Sequence, residues 1–278
     1  MSAGAESINP GLSVVMIGRN EATSLRQAII PALQLADEVV FVDTGSNDSS
    51  AALAEALGAR VFFFAWCDDF SRAKNFAVEQ ARHAWILNMD CDESIDVRQA
   101  RKILQEALSR EDEQAYQIRI DNVRDNGDCL PSSALRLFRN DKRIRFANPI
   151  HESVGESLYR HWPDRRPPEL PLRLMHWGYS ETSTAEKTDR NWRVLQQWLE
   201  REPENIFANF KAGQTLRGKG EIAEAATRFG RAFHQLLQDP QRGTYPYWPD
   251  LVQQYLECLM ATGSGAEAAK VQSLVAVL

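Results

Sequence analysis

Cysteine and long hydrophobic runs are both scarce in this sequence. Its 278 residues include four cysteines, and none forms a CxxC pair or a Cys/His pair at zinc-ligand spacing: Cys67, Cys91, Cys129 and Cys258. Scattered cysteines of this kind favour reduced thiols in a cytoplasmic protein. Because no apolar run approaches the roughly 20 residues that span a bilayer, we expect no transmembrane segment, while peripheral membrane contact stays open. Residues 1–11 read as a polar tail without the apolar core of a signal peptide.

The sequence also has fewer basic residues than acidic ones. Lys and Arg number 32 against 38 Asp and Glu, so the formal net charge is -6. This balance argues against the broad basic face that nucleic-acid binding requires. Hydrophobic residues make up 44% and charged residues 25%, which are globular values, and the length predicts one or two domains. The oligomeric state is left open.

The first ninety residues alternate apolar runs with amphipathic helical stretches. Four short apolar runs read as strands: Leu12–Ile17, Val39–Val42, Val61–Phe64 and Trp85–Met89. Strands of this kind, joined by helical crossovers, are typical of a parallel sheet covered on both faces. The sequence therefore predicts a nucleotide-binding α/β half.

The pattern changes in the second half of the chain. Alternating runs at Tyr116–Val123 and Leu135–Phe138, around a turn at 125–127, predict a mixed extension of the sheet. Pro163–Pro171 reads as an exposed loop. From Thr182 onward the pattern is helical, and Asn209–Phe233 has the small and large residues of a tetratricopeptide-type hairpin. We therefore predict an α/β domain at 12–180 and a helical region at 181–278.

Polar residues follow the predicted parallel strands at their carboxyl ends, where ligands of open α/β sheets bind. They are Asn20, Glu21, Asp43, Ser46, Asp48, Asp68, Asp69, Asp90 and Asp92. The segment 90–93 places three carboxylates in four residues, which repel one another unless a cation neutralises them. Asp90 and Asp92 can point to one side of an extended segment, an arrangement that suits Mg²⁺ or Mn²⁺ together with water and diphosphate oxygens.

Three other motifs do not carry chemistry. Gly213–Gly220 copies most of a phosphate-binding loop, but it ends in Gly220 and lies inside the helical repeat, so it predicts a helix-turn-helix corner. His151-Glu152 begins like a zinc-protease motif, yet Gly155 stands where the second histidine is needed. No GxGxxG follows the first strand, which argues against a dinucleotide cofactor.

Four segments taken in order carry a resemblance: 14–21 (VVMIGRNE), 42–49 (VDTGSNDS), 69–76 (DFSRAKNF) and 85–93 (WILNMDCDE). They resemble successive motifs of family-two glycosyltransferases with the GT-A fold. More narrowly, the chain is similar to the bacterial branch in which a GT-A domain runs into tetratricopeptide-like helices, a branch that includes peptide S-glycosyltransferases of the SunS type. The resemblance implies a Rossmann-like mixed sheet with helices on both faces, followed by an all-α region.

The resemblance also implies roles for particular residues. Asp90, Asp92 and His176 match positions that hold Mn²⁺ or Mg²⁺. The nucleotide-sugar donor, with UDP as the expected nucleotide, is assigned to Asn20, Glu21, Asp43, Arg72, Lys74, Asn75, Asp90, Arg136, Lys187 and Arg190. Lys74 replaces the family's usual arginine. Cys91 replaces a commoner alanine, and both a packing role and a reactive thiol are open for it.

The implied reaction is a metal-assisted single displacement with inversion, in which Glu152 and Asp92 are the catalytic residues. Glu152 is our candidate base, with an ion pair to Arg136 as its alternative role. The acceptor is a protein, a peptide or a glycan, and lipid-linked acceptors stay open. Two other interpretations remain at this point: a nucleotidyltransferase that uses the same Asp90-Cys91-Asp92 (DxD) site, and a non-catalytic adaptor with a pseudoenzyme domain.

Overall fold

The computed structural model describes residues 9–124, 127–179, 181–240 and 242–276, and it leaves undescribed the side chains at 9, 10, 178, 179, 181–187 and 244. The chain divides into two compact units, one ending at Glu186 and one beginning at Lys187. This division lies a few residues beyond the boundary that we predicted at 180. Across the described residues, no helix combines the length and apolar character needed to cross a membrane.

The first unit is built on an eight-stranded sheet in the order β3-β2-β1-β4-β7-β6-β8-β5. The strands are β1 (Asn9–Gly18), β2 (Glu38–Asp43), β3 (Arg60–Phe63), β4 (His83–Asn88), β5 (Glu93–Ile95), β6 (Ala115–Arg124), β7 (Cys129–Arg139) and β8 (Glu169–Tyr179). The first four are parallel, whereas β7 runs antiparallel to both β4 and β6, and β5 runs antiparallel to β8. The predicted parallel half and its mixed extension are therefore both confirmed.

Helices cover this sheet. They are α1 (Leu25–Leu33), α2 (Ser50–Ala56), α3 (Phe70–Gln80), α4 (Val97–Leu108) and α5 (Gly155–His161). Two of them begin on an aspartate that caps the first turn. Asp69 accepts from the Arg72 N–H, and Asp96 accepts from the N–H groups of Arg98 and Gln99.

The two faces of the sheet bury separate apolar clusters because side chains alternate along each strand. On β1, Val14 and Met16 pack with α1 and α4 residues such as Ile29 and Leu104, while Val15 joins the opposite cluster. That second cluster includes Ala77 of α3 and other buried residues, among them Val40, Val42, Ile86, Phe138, Val154 and Leu158. Burial on both faces explains why the parallel strands read as continuous apolar runs.

Several elements differ from the sequence prediction. β1 begins at Asn9, so residues 9–11 lie in the strand and not in a tail. β8 begins at Glu169, inside the predicted loop 163–171, and pairs with β6. Its register shifts between Leu170 and Arg173, around Pro171, because proline has no N–H to donate to the ladder. Helix α5 and the short strand β5 were not predicted.

The second unit is helical, as the sequence predicts. Its helices are α6 (Glu181–Arg201, which starts in the first unit), α7 (Ile206–Gly218), α8 (Ile222–Leu237), α9 (Trp248–Ala261) and α10 (Gly265–Ala276), with a 3₁₀ turn at Arg242–Thr244. The apparent phosphate loop is the α7–α8 corner, with Gly220 at φ +82. Gly213 faces the Phe229 ring, where a Cβ atom would lie 2.5 Å from ring carbons.

Candidate functional site

The loops that follow β1 and β2 are tied together at the carboxyl edge of the sheet. Asn20 adopts φ 59; its Oδ1 accepts the Asn47 N–H at 2.8 Å, and its own N–H donates to Ser46 Oγ at 2.9 Å. The Glu21 N–H donates to Ser50 Oγ at 2.7 Å, and Glu21 Oε2 accepts from a serine of its own loop. In the structure, Asn20 and Glu21 thus connect the loop after β1 to the loop after β2.

Asp43, the last residue of β2, is almost fully buried at 3% exposure. Its Oδ1 accepts two backbone N–H groups, those of Gly45 and Ser46, each at 2.8 Å. Among the described residues, its Oδ2 is buried and has no hydrogen-bond partner. A buried carboxyl oxygen without a hydrogen bond is costly, so Asp43 keeps one acceptor for a ligand N–H or O–H.

The DxD segment turns sharply after β4 and is held by internal cations. Arg136 Nη2 on β7 donates to Asp90 Oδ2 at 2.8 Å and to Glu93 Oε1 at 2.9 Å, while Glu93 Oε2 accepts the Asp90 N–H at 2.8 Å. Although burial alone would raise the pKa of Asp90, the charges of Arg136 and Lys74 hold it well below its usual range. Burial raises the pKa of Glu93 to about 7, against the opposing charge of Arg136. The carboxylate repulsion is therefore relieved in part by the protein's own cations.

Lys74 connects the DxD segment to the candidate base. Its ammonium lies 2.7 Å from Glu152 Oε1 and 3.5 Å from Asp90 Oδ1, and its side chain is only 8% exposed. Burial would lower the pKa of Lys74, but the charges of Asp90 and Glu152 outweigh it and raise the pKa. The alternative role of Glu152 was an ion pair with Arg136; in the structure its carboxylate pairs with Lys74.

Asp92 and His176 face each other across the β5–β8 pair. His176 Nε2 lies 3.3 Å from Asp92 Oδ2, and His176 Nδ1 lies 2.8 Å from Asn122 Oδ1. Because the Asn122 amide nitrogen donates to Leu130 O, its oxygen must be the acceptor, so Nδ1 of His176 carries a proton. In a neutral ring, the lone pair of Nε2 would then face the Asp92 carboxylate. Two acceptors in this position require a shared proton or a cation between them.

The electrostatics of His176 agree with this geometry. Burial would lower its pKa, but the hydrogen bond and the charge of Asp92 outweigh that effect and raise it. Among the described residues, no three Asp, Glu, His or Cys side chains gather as a self-sufficient metal site. A divalent ion that takes one or two protein ligands plus diphosphate and water does not need such a trio. Asp92 and His176 therefore fit the predicted cation, whereas Asp90 is already engaged by Arg136 and Lys74.

The other predicted site residues lie in different surroundings. Arg72 is exposed in the first turn of α3. The Asn75 side-chain amide donates a hydrogen bond to the Phe146 carbonyl at 2.9 Å and accepts one from the Phe146 N–H at 2.8 Å. This pair of bonds indicates a structural role for Asn75. Arg190 belongs to the second unit and donates to Asn191 Oδ1. The side chain of Lys187 lies outside the described residues.

Cys91 lies between the two aspartates and has a packing role. It is 3% exposed, its thiol donates to the Ile17 carbonyl at 3.3 Å, and its sulfur lies close to Gly18. Burial raises the pKa of the Cys91 thiol well above its usual value, which disfavours the reactive-thiol alternative.

The sequence analysis missed two residues of this site. Glu93 was visible as a third carboxylate beside the DxD, but its bond to Arg136 depends on the pairing of β7 with β4. Asn122 gave no signal at all, because its contact with His176 arises from the parallel pairing of β6 and β8.

Residues 13–164, more than half of the chain, match the family model described as Glycosyl transferase family 2. A TPR repeat-containing protein of Synechococcus elongatus is 32% identical over 235 residues, covering 82% of this chain and 58% of that protein. The SPbeta prophage-derived glycosyltransferase SunS of Bacillus subtilis is 26% identical over 221 residues, covering 76% of this chain and 50% of that protein. The chain thus spans about half the length of the curated relatives it matches.

Solved structures show the same fold. TarS 1–349 of S. aureus in complex with UDP gives a TM-score of 0.53 at 15% identity and covers 91% of each chain. Its complex with UDP-GlcNAc gives 0.54 at 14% identity and covers 91% of this chain and 92% of that one. The first unit has the GT-A fold predicted for it. The chain belongs to glycosyl transferase family 2, with a tetratricopeptide-like helical region after the GT-A domain.

Proposed function

We propose that this chain is an inverting, metal-dependent glycosyltransferase. It moves a hexose or N-acetylhexosamine from a UDP-sugar to a protein, peptide or glycan acceptor. Family membership supports glycosyl transfer, and the UDP and UDP-GlcNAc complexes of the structurally similar TarS support the donor nucleotide. The observation that carries the proposal is the Asp92–His176 pair, in which a carboxylate oxygen and an imidazole nitrogen lie 3.3 Å apart and suit a shared cation. The pair lies at the edge of the sheet where the buried Asp43 Oδ2 has no hydrogen-bond partner among the described residues.

Asp92 and His176 are the residues that would hold Mn²⁺ or Mg²⁺. When bound, the divalent ion supplies positive charge against the diphosphate of the donor and its leaving group. Asn122 fixes the His176 ring with Nε2 directed at Asp92, as ligand histidines are commonly oriented by an outer hydrogen bond. Arg136 and Glu93 hold the turn that presents Asp92.

Glu152 is proposed as the base. Its carboxylate takes the proton from the acceptor as the acceptor atom attacks the anomeric carbon. The new glycosidic bond forms while the bond from that carbon to the diphosphate breaks, and UDP leaves with the bonding electrons. Lys74 holds Glu152 beside Asp90 and thereby keeps the base next to the donor site.

The substitution Asp92→Ala tests the proposal. Because this carboxylate is assigned to the metal, we expect Mn²⁺-dependent turnover of the UDP-sugar to fall by at least about 100-fold, measured as UDP release. The matched variant Asp128→Ala changes an exposed aspartate of the β6–β7 turn and should keep wild-type turnover. Unchanged, metal-dependent turnover in Asp92→Ala would remove the proposed metal site. Turnover of nucleoside triphosphates in place of UDP-sugars would favour the nucleotidyltransferase.

A further inference from the structure

Helix α3 holds the loop that carries Glu152 at several points. Phe70, the first residue of the helix, donates its N–H to the Pro149 carbonyl at 2.8 Å. One turn further on, the Lys74 ammonium lies 2.7 Å from Glu152 Oε1 and 5.5 Å from the centre of the Phe146 ring. The loop is therefore attached to α3 through both backbone and side-chain contacts.

The same loop is closed on itself by a pair of backbone hydrogen bonds. The Ala147 N–H donates to the Ser153 carbonyl at 3.0 Å, and the Ser153 N–H donates to the Ala147 carbonyl at 3.3 Å. Between them, Asn148 and His151 adopt φ angles of 74° and 56°, a left-handed conformation that is uncommon for residues other than glycine. Such a conformation persists only where surrounding contacts fix it. The position of Glu152 therefore depends on what holds the two ends of the loop.

Asn75 holds one of these ends. Its Oδ1 accepts the Phe146 N–H at 2.8 Å, and its Nδ2 donates to the Phe146 carbonyl at 2.9 Å. Phe146 directly precedes Ala147, the first residue of the closing pair. The Asn75 bonds therefore fix the backbone at the point where the loop begins.

We infer that Asn75 is a positioning residue for the base, which keeps Glu152 in place through the Phe146 backbone. Both ends of the Asn75 amide are engaged by that backbone, which favours this role over the donor contact that the family resemblance implies. The inference rests on the proposed function, in which Glu152 takes the proton of the acceptor. It adds the residue that sets where this carboxylate lies.

A double-mutant cycle on UDP release from UDP-GlcNAc with Mn²⁺, with water as the acceptor, tests this role. Asn75→Ala should lower kcat by about 10- to 100-fold, because a catalytic group displaced by about 1 Å loses rate on that scale, while the dissociation constant for UDP stays within about twofold. In the Glu152→Gln background, the same substitution should change kcat by less than about twofold, because its effect passes through Glu152. Equal losses in both backgrounds would overturn the positioning role. A weakened affinity for UDP with unchanged kcat would establish the donor contact instead.

Asn140 offers a matched control. It is half-buried like Asn75, and its Nδ2 donates to the backbone carbonyls of Ala81 and His83, at 3.3 and 3.0 Å, where β4 begins. Asn140→Ala should lower the Tm about as much as Asn75→Ala does, but kcat should stay within about twofold of wild type. Asn75→Asp keeps an acceptor for the Phe146 N–H and should retain more turnover than Asn75→Ala.

Hydrogen exchange of the full chain measures the hold on the loop without any turnover. Asn75→Ala should speed exchange of the Phe146 and Ser153 amides by about tenfold or more, and Asn140→Ala should leave both rates unchanged. Wild-type exchange in Asn75→Ala would overturn the inference while the proposed function stands. A wild-type chain that neither binds UDP-GlcNAc nor releases UDP from it would overturn both.

Discussion

At the scale of single residues, charge pairing decides what each carboxylate near the DxD contributes. Asp90 is neutralised by Arg136 and Lys74, and Glu93 is buried against the same guanidinium. Asp92 Oδ2 instead lies 3.3 Å from His176 Nε2. The two aspartates of the motif therefore have different partners although they look equivalent in the sequence: Asp90 pairs with a lysine and an arginine, and Asp92 pairs with a histidine.

Glu152→Gln is predicted to separate binding from transfer. The amide keeps the shape of the side chain but cannot take a proton from the acceptor, so kcat should fall by about 10²–10⁴-fold. UDP affinity should stay within a few-fold of wild type, because Glu152 contacts the protein's Lys74 and is not assigned to the donor. Transfer assays and UDP titration on the same preparation measure the two effects. Wild-type kcat would show that Glu152 is a structural ion-pair partner only.

Glu38 lies outside the site and predicts a pH-dependent stability. Its carboxylate accepts from Ser13 Oγ, the Arg82 N–H and Arg60. Burial would raise its pKa, but these bonds together lower it. A lowered native pKa means that the ionised carboxylate stabilises the fold above the unfolded-state pKa of about 4.3 and that this stabilisation is lost as the pH falls.

Glu38→Gln should therefore lower the free energy of unfolding at pH 7 by about 1–2 kcal/mol. The difference from wild type should shrink as the pH falls below about 4, and urea unfolding at a series of pH values measures it. Glu55→Gln, at an exposed position of α2, is the control and should have little effect. A difference that grows in acid would contradict the assignment.

At the scale of elements, burial on both faces made the parallel strands visible in the sequence. The predicted run 39–42 falls on β2, and the run 85–89 falls on β4 apart from Met89, which follows it. Every residue of the two runs except Asn88 belongs to one apolar cluster or the other. β7 was predicted only at 135–138, since residues 129–133 are exposed and polar enough to read as a loop. Strand β8 was missed because its pairing with β6 spans a long stretch of chain, and local propensity does not report such pairing.

The same limit applies to the site. Strand-end position and the family resemblance selected Asp90, Asp92 and His176, but the contacts that distinguish their roles come from β4–β7 and β6–β8 pairing. The family resemblance assigned Lys74 to the nucleotide-sugar donor. In the structure, packing of α3 against the sheet instead gives it two carboxylate partners.

Helix packing in the second unit gives a prediction at this scale. Gly213 of α7 lies against the Phe229 ring of α8, and a Cβ atom would approach ring carbons to 2.5 Å. Gly213→Ala should therefore push the helices apart and lower the free energy of unfolding by about 1–3 kcal/mol. Gly218→Ala, in the same helix with open space around it, should be neutral or stabilising by up to about 1 kcal/mol. Chemical unfolding of both variants measures the contrast, and equal effects would contradict the close approach.

At the scale of the whole molecule, acidic groups outnumber basic ones both in the chain, with its net charge of -6, and around the site. Three carboxylates, those of Asp90, Glu93 and Glu152, surround two cations, Lys74 and Arg136. This cluster has no surplus positive charge to offer a diphosphate. The central claim of the proposed function is that a divalent ion supplies the positive charge that an anionic nucleotide meets at this site.

Thermal unfolding of the full chain with UDP, in Mn²⁺ and in EDTA, tests that claim most directly. With UDP at about 100 times its dissociation constant, Mn²⁺ should raise the Tm of the first unit by about 5 °C or more. The same UDP concentration in EDTA should leave Tm within about 1 °C of the ligand-free value, as should UDP with Mn²⁺ on Asp92→Ala. Equal stabilisation by UDP in EDTA, or no response to UDP with Mn²⁺, would contradict the account.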